Sequence, residues 1–347
     1  MTQPFTCWTA EVGAADAARA GGKAAALGEL ARAGLPVPRG FVITTAAFLS
    51  HMDGVDPDGA ARGALRALAA DDLAGIARAA AVLRGRVVAQ ELPPEVASEI
   101  APACAALGDG PVAVRSSATL EDSAEASFAG LQDTYLAVRG TDAVLDRVRA
   151  CWASLYNDES IAYRRRQGTG EDGLAMGVVV QPMLDPRSAG VMFTRSPVTG
   201  DRSVVAIEGT WGLGSALVGG EVTPDSFTVS KVTGEITGRR VGVKLRVHSF
   251  TPNGQGISAT PMAVPLRRTP CLTDDEVRGL ARLGRQVEDH YGAPQDIEWA
   301  LLDDSPSRFV LLQSRPETVW AARDSGPIAS PQAKASDHVL ARFSRGL

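Results

Sequence analysis

Lysine is scarce in this sequence. Four residues (Lys23, Lys231, Lys244 and Lys334) stand against 31 arginines, a bias that a GC-rich genome would impose, so most arginines need no chemical explanation. Net charge is −5, and without a basic field nothing points to nucleic acid as a ligand. Cysteine is also sparse: Cys7, Cys104, Cys151 and Cys271 lie far apart and form no C-x-x-C. That argues against a structural zinc site and fits reduced thiols in the cytoplasm. No apolar run reaches the length of a transmembrane helix. The Ala-rich start carries Glu11 and Asp16 and lacks a basic n-region, so it does not read as a signal peptide. No G-x-S-x-G, H-E-x-x-H or EF-hand loop is present.

What is there is a chain of 347 residues with 45% apolar content, enough for two domains or one two-lobed domain with a sizeable core. The first half reads as helices around a small sheet. "GGKAAALGELARAG" is a helix stopped by Gly34, Phe41 to Ile43 a strand, and the next helix is capped by Thr44 or Thr45. Residues 58 to 106 read as helical with a break at "LPPE", "PVAVRSS" as a short strand, and residues 141 to 168 as helical throughout. The second half reads as mostly antiparallel strands: "MGVVVQPML", "AGVMFTRSP", "RSVVAIEGTWG" and "DSFTVSK". Residues 250 to 270 read as a loop. A helix follows with Thr273 as N-cap and Glu276 three residues on. Residues 322 to 336 read as a polar linker before an amphipathic end, "DHVLARFSRGL".

Three segments carry candidate chemistry. In "QDIEWALLDDSPSRFVLLQSRP" two apolar strands carry Glu298, Gln313 and Arg315. Alternation puts Asp296, Glu298 and Ala300 on one face, and Phe309, Leu311, Gln313 and Arg315 on one face of the partner. A turn centred near Ser305 sets Glu298 roughly opposite Gln313. A carboxylate and an amide oxygen at that spacing suit a hard cation such as Mg²⁺, with Arg315 within reach of a phosphate. An edge hairpin with a solvated Glu–Arg pair is the alternative. Lys23 begins a helix behind two glycines, where an anion is favoured, although the pattern is not a P-loop and also fits a surface lysine. Arg115 ends a strand and is followed by Ser116, Ser117, Thr119 and a small-residue loop suited to covering a phosphate chain, or to no role at all. "IEGTWGLG" has Leu217 where a dinucleotide fingerprint needs its third glycine, so Gly212 and Gly214 shape a turn near the site, with Glu208 facing the same cleft. His51, His248, His290 and His338 read as structural or exposed.

Taken together, "GGKAAALGELARAGLPVPRGFVITTAAF", "VAVRSSATLEDSAEASFAGLQDTYLAV", "VVVQPMLDPRSAGVMFTRSPVTG", "IEGTWGLG", "VTPDSF" and "DIEWALL…FVLLQSRP" resemble the N-terminal ATP-binding region shared by phosphoenolpyruvate synthase, pyruvate phosphate dikinase and rifampin phosphotransferase. The resemblance runs over about residues 8 to 320. It implies an α+β ATP-grasp fold: an N-terminal lobe over 1–180, a C-terminal lobe with a largely antiparallel sheet over 181–321, and a linker and tail over 322–347. It implies ATP and Mg²⁺ as cofactors. Lys23 and Arg115 then resemble phosphate-contacting cations, Glu298 and Gln313 the Mg²⁺ ligands, and Arg315 the catalytic arginine. The loop from Ser127 through Gly130 and Gln132 to Thr134 resembles the phosphate cover, and Gln181 and Glu208 complete the nucleotide contacts.

The sequence departs from relatives at Ser215, where many carry Glu, and at Ser196, where many carry Asp. No histidine sits in the family's phospho-accepting loop. The resemblance therefore implies an ATP-binding component that passes a phosphoryl or pyrophosphoryl group to a histidine on a separate swivelling-domain protein. A small molecule is the final acceptor, and AMP and phosphate are released. The alternatives are a non-catalytic nucleotide-binding subunit, a carboxylate–amine ligase releasing ADP, and an excised piece of a longer enzyme.

Overall fold

The computed structural model describes residues 3–119, 133–166, 173–251, 256–303, 308–318 and 320. Ser127, Gly130 and Gln132, His338, and the linker and tail expected beyond residue 321 lie outside these residues.

The described chain is α+β, built on two antiparallel sheets. The first has the order β1-β2-β5-β3-β4, from β1 (Thr6–Trp8), β2 (Phe41–Ile43), β3 (Val112–Ala118), β4 (Thr134–Val138) and β5 (Met176–Pro182). Its central strands are β-branched runs buried on both faces, the pattern of a covered sheet. Val42 and Val179 pack against one layer, formed by helices α1 (Ala17–Ala20) and α2 (Gly22–Arg32). Phe41, Ile43, Val178 and Val180 face the opposite layer. That layer contains α3 (Thr45–Val55), α4 (Ala60–Arg66), α5 (Leu73–Ala89), α6 (Pro94–Leu107), α7 (Thr141–Ser154) and α8 (Asp158–Arg166), with the fully buried Trp152 at its centre. The helical run expected over 141 to 168 is interrupted at Leu155–Asn157. Thr44 does stand at the N-cap of α3, but its hydroxyl donates to the carbonyl of Pro4 instead of capping the helix.

The second sheet has the order β13-β12-β6-β7-β8-β9. Its strands are β6 (Ser188–Phe193), β7 (Val204–Trp211), β8 (Asp225–Ser230), β9 (Ile236–Arg240), β12 (Gln295–Leu302) and β13 (Arg308–Pro316). Residues 250 to 270, expected as a loop, instead contribute a hairpin, β10 (Arg246–Phe250) with β11 (Ile257–Pro261). A one-turn helix, α9 (Ser215–Val218), follows β7, and α10 (Asp274–Tyr291) lies on the sheet. Val277, Leu280, Ala281, Gly284 and Val287 recur every three or four residues along α10 and are buried, so the helix keeps one apolar face on the sheet. Its start is the expected capping box: Thr273 N–H donates to Glu276, and Glu276 N–H donates to the Thr273 hydroxyl. Burial acts to raise the pKa of Glu276, but the Thr273 N–H and Arg187 outweigh it and hold the carboxyl below its ordinary range.

Two polar devices fix the second sheet internally and to the first. Asp225, fully buried, accepts from Lys244 Nζ (2.5 Å), Gly242 N (2.9 Å) and Cys271 N (2.7 Å). A buried carboxylate needs this degree of compensation. Helix α2 reaches both sheets. Ala24 N–H donates to the Ser117 hydroxyl on β3 (3.0 Å). Farther along, Ala26 O accepts from Tyr291, Glu29 bonds His290, and Leu30 enters the second core. Just past the helix, Leu311 N–H on β13 donates to Pro36 O (2.7 Å). Among the described residues no helix is long and apolar enough to cross a membrane.

Candidate functional site

The site lies where the two sheets meet. A cavity of ≈ 320 Å³ is walled by Ala113 and Arg115 of β3, Thr134 of β4, Gln181 of β5, the connecting stretch Pro182–Leu184, Leu213–Ser215, and Glu298 to Ala300 of β12. Most of the lining is apolar and the charged groups gather at Arg115 and Glu298, the mixture expected of a small-molecule cleft.

Glu298 and Gln313 are register partners on β12 and β13. The expectation that Phe309 and Leu311 share a face with Gln313 and Arg315 is overturned. The ladder pairs Glu298 with Gln313 but Trp299 with Leu311, so Leu312 is an extra residue in β13. This β-bulge inverts the alternation at that point. Leu311 stays fully buried in the core under α10, while Gln313 and Arg315 oppose Glu298 and Asp296. The bulge also exposes a carbonyl: Arg115 Nη1 donates to Leu312 O at 2.6 Å.

Arg115 Nη2 donates to Glu298 Oε2 at 3.1 Å and to Gln313 Oε1 at 3.0 Å. Two oxygens from neighbouring strands thus converge on one point, now held by a cationic nitrogen from the opposite sheet. Glu298 remains partly exposed while Arg115 is largely covered. Arg315 Nη2 lies 3.4 Å from Asp296 Oδ2. Burial pushes the Asp296 carboxyl up to about 6, Arg315 opposes this, and Glu317 adds to it. Asp296 Oδ1 is buried and lacks a hydrogen-bond partner, so the site holds acceptor capacity its own side chains leave unused.

The other expected positions fall around this centre. Lys23 is buried and its Nζ donates to Ser116 O (2.8 Å), one residue from Arg115. That placement requires α2 to start against β3. Gly21, at φ +82°, permits it, because a Cβ there would stand 1.8 Å from Ser117 O. Thr134 pairs with Arg115 across the strands and lines the cavity. Gln181 lines it too, while its amide donates to Pro38 O. Glu208 shares a rung with Val191, Glu298 and Gln313. It is therefore on the cleft face but two strands, roughly 10 Å, from Glu298, and it does not line the cavity. Ser116 and Ser117 do not face outward to cover a ligand as expected: both are fully buried. Thr119 donates to Ala175 O.

A family described as the AMP/ATP-binding domain of pyruvate phosphate dikinase matches residues 17–336. The chain belongs to that family. It is 46% identical over 311 residues to rifampicin phosphotransferase of a Streptomyces species, covering 89% of this chain and 35% of that protein. A probable phosphoenolpyruvate synthase of Methanothermobacter thermautotrophicus is 41% identical over 320 residues, covering 90% and 46%. Phosphoenolpyruvate synthase of Aeropyrum pernix is 37% identical over 365 residues, covering 95% and 44%. The chain thus spans between a third and a half of the length of these relatives.

Within this pyruvate phosphate dikinase-type domain, sequence reading passed over three parts of the cleft. The stretch Pro182–Leu184 was absorbed into a strand that ends at Pro182. Its signal was two apolar residues enclosed by Pro182 and Pro186 where a polar turn would be ordinary. Asp296 was placed on the right face but given no role. The Leu312 carbonyl had no side-chain signature.

Proposed function

We propose that this chain binds ATP·Mg²⁺ in the inter-sheet cleft and delivers a phosphoryl or pyrophosphoryl group to a histidine carried elsewhere, on a separate polypeptide or another part of a longer one. The observation that carries the reading is the convergence of Glu298 Oε2, Gln313 Oε1 and the Arg115 guanidinium at the charged end of an otherwise apolar cavity. The base occupies the apolar end by Pro182–Leu184, and the phosphates lie toward Arg115, Lys23 and Arg315.

The donor set fits Mg²⁺: two hard oxygens aimed at one point, with an unpartnered carboxylate oxygen on Asp296 nearby in the same strand. Glu298 and Gln313 would hold the ion, which when bound would supply neutralisation of charge on the phosphate chain. Glu298 and Gln313 cannot give the same lone pairs to Arg115 and to a cation. Arg115 is therefore the group that turns from Glu298 to the phosphates as nucleotide enters, so its charge is never left without a partner. Arg315, held by Asp296, supplies a planar cation for charge that develops during transfer.

In the transfer itself the imidazole nitrogen of the acceptor bonds to the β-phosphorus, the bond from that phosphorus to the α–β bridging oxygen breaks, and AMP leaves. The γ-phosphate is then released to water and the remaining phosphoryl group passes to a small molecule. The named activities of the relatives, rifampicin phosphotransferase and phosphoenolpyruvate synthase, support a small-molecule acceptor.

The test uses β-³²P-labelled ATP. The chain supplied with a histidine-bearing swivelling-domain protein should yield AMP and a labelled partner. Intact-mass analysis of the chain alone, quenched in alkali, should show no phosphate adduct. A stoichiometric adduct on His51, His248, His290 or His338 would replace this reading with a self-contained kinase.

A further inference from the structure

One side-chain cluster meets the cavity wall at Ser215 and has no role in the function proposed above. Ser215 Oγ lies 2.9 Å from His248 Nδ1, and His248 Nε2 lies 3.3 Å from Glu221 Oε2. Ser215 opens α9 and lines the cavity. His248 comes from β10 and is buried, while Glu221 is substantially exposed and has Arg246 Nη1 3.7 Å from the same oxygen. The three residues therefore run as a chain from cavity wall to surface.

The histidine is fixed by backbone. Leu213 N–H donates to His248 O (2.9 Å). Gly212, at φ +70°, allows the strand to approach, since a Cβ there would stand 2.5 Å from that oxygen. Glu221 is fixed as well, its N–H donating to Ala216 O (3.0 Å).

The chemistry of the chain sets the polarity of the serine. A carboxylate only accepts, so Nε2 carries a proton, and in the neutral form of the ring Nδ1 is then the acceptor. The Ser215 O–H must then donate to Nδ1. Its only donor is spent, and what it offers the cavity is lone pairs. The ligand group it fits is a hydroxyl or amine donor.

Position narrows this to the sugar, an inference that rests on the nucleotide reading above. Gly214 packs over Ala189 and Gly190 of β6, which pair with Ala300 and Trp299, the residues just after Glu298. Ser215, the residue after Gly214, thus lines the cavity beside the rungs that immediately follow Glu298. We propose that Glu221 and His248 hold Ser215 as an obligatory acceptor for a ribose hydroxyl, so that this site selects ribonucleotides over deoxyribonucleotides.

Isothermal titration of the full chain with ATP, 2′-deoxyATP and 3′-deoxyATP, each with Mg²⁺, tests it. The wild type should bind one deoxy analogue roughly three- to tenfold more weakly than ATP, the size of one net hydrogen bond. Ser215→Ala should bind ATP as weakly as that analogue and no longer distinguish the two. Glu221→Gln, a change at an exposed side chain, should narrow the preference. A purely structural role would lower the melting temperature of these variants and leave the ratio of affinities untouched. Equal wild-type binding of all three nucleotides, or an unchanged preference in Ser215→Ala, overturns the inference while leaving ATP binding intact. Binding of none of them overturns the nucleotide reading and this inference together.

Discussion

Glu298 faces Gln313 because β13 carries one residue too many. A regular hairpin continued from the Leu302–Arg308 pair would set Glu298 against Leu312, and the bulge at Leu312 moves Gln313 into that place.

Removing Leu312 should therefore leave Glu298 opposite Gln313 in a now regular ladder and keep metal-dependent ATP binding, while taking away the carbonyl that holds Arg115. Thermal melts with and without ATP·Mg²⁺ check this: wild type and deletion should both be stabilised by ligand, and a deletion that loses the shift would mean that the Leu312 carbonyl under Arg115 is needed as well as the Glu298–Gln313 pair. Glu298→Gln keeps the ladder and should fold normally, yet lose the part of the ligand shift that depends on Mg²⁺. Equal ATP affinity of the wild type with and without Mg²⁺ would remove the metal assignment.

Lys23→Met preserves the buried stem but removes the ammonium bonded to Ser116 O. A hydrogen bond to a charged group contributes about 1.5–3 kcal/mol, so ATP affinity should fall by roughly ten- to a hundredfold. The bond to Ser116 O is itself made by a charged donor, so its loss should cost stability about 1.5–3 kcal/mol as well. Calorimetry and urea unfolding separate the two effects.

Asp296→Asn should stabilise the fold at pH 8. The folded protein holds the Asp296 proton more tightly than the unfolded chain does, about 6 against an ordinary 3.8. Ionisation of this carboxyl therefore opposes folding. That cost is full above about pH 6, shrinks as pH falls, and is gone below the unfolded value. The asparagine variant should gain on the order of 1–2 kcal/mol at pH 8, part of the possible gain being offset by the lost Arg315 pair, and nothing near pH 4. Urea unfolding at the two pH values reads it directly. A gain that persists undiminished at pH 4 would contradict the assignment.

Asp225→Asn leaves Lys244 buried without a counter-charge and should cost about 3–5 kcal/mol. The double change Asp225→Asn with Lys244→Met should recover much of it. A double variant as unstable as the single one would mean that the Gly242 and Cys271 N–H bonds, not the charge pair, carry the effect.

The long periodic elements were legible in the sequence. The apolar spacing and capping box of α10, the valine run of β5 and the alternation in β7 and β8 each announce themselves locally, and of the expected site positions Arg115, Thr134, Gln181 and Glu298 line one cavity, with Gln313 bonded to Arg115. The bulge was not legible, because one inserted residue breaks alternation only once. Its trace is the doubled Leu311–Leu312. Strands β1 and β4 are short edge pieces, and β9 and the β10–β11 hairpin are polar, so neither length nor period marks them. Ser215 and His248 are separated by 33 positions. Their meeting depends on how β10 is laid against the turn after β7, which no local pattern encodes.

Helix α2 has a mechanical consequence. Its eleven residues form a strut about 16 Å long, pinned at one end to Ser116 and Ser117 and gripped toward the other by Tyr291, His290 and, just beyond it, Leu311. The sheets cannot part as two free flaps, because the strut is common to both. Arg115 is the latch across the mouth, and once it releases Glu298 the remaining freedom is rotation about this shared beam. On the nucleotide reading proposed above, a charge settling on Lys23 would load the same element that braces β13, the strand that carries Gln313 and Arg315.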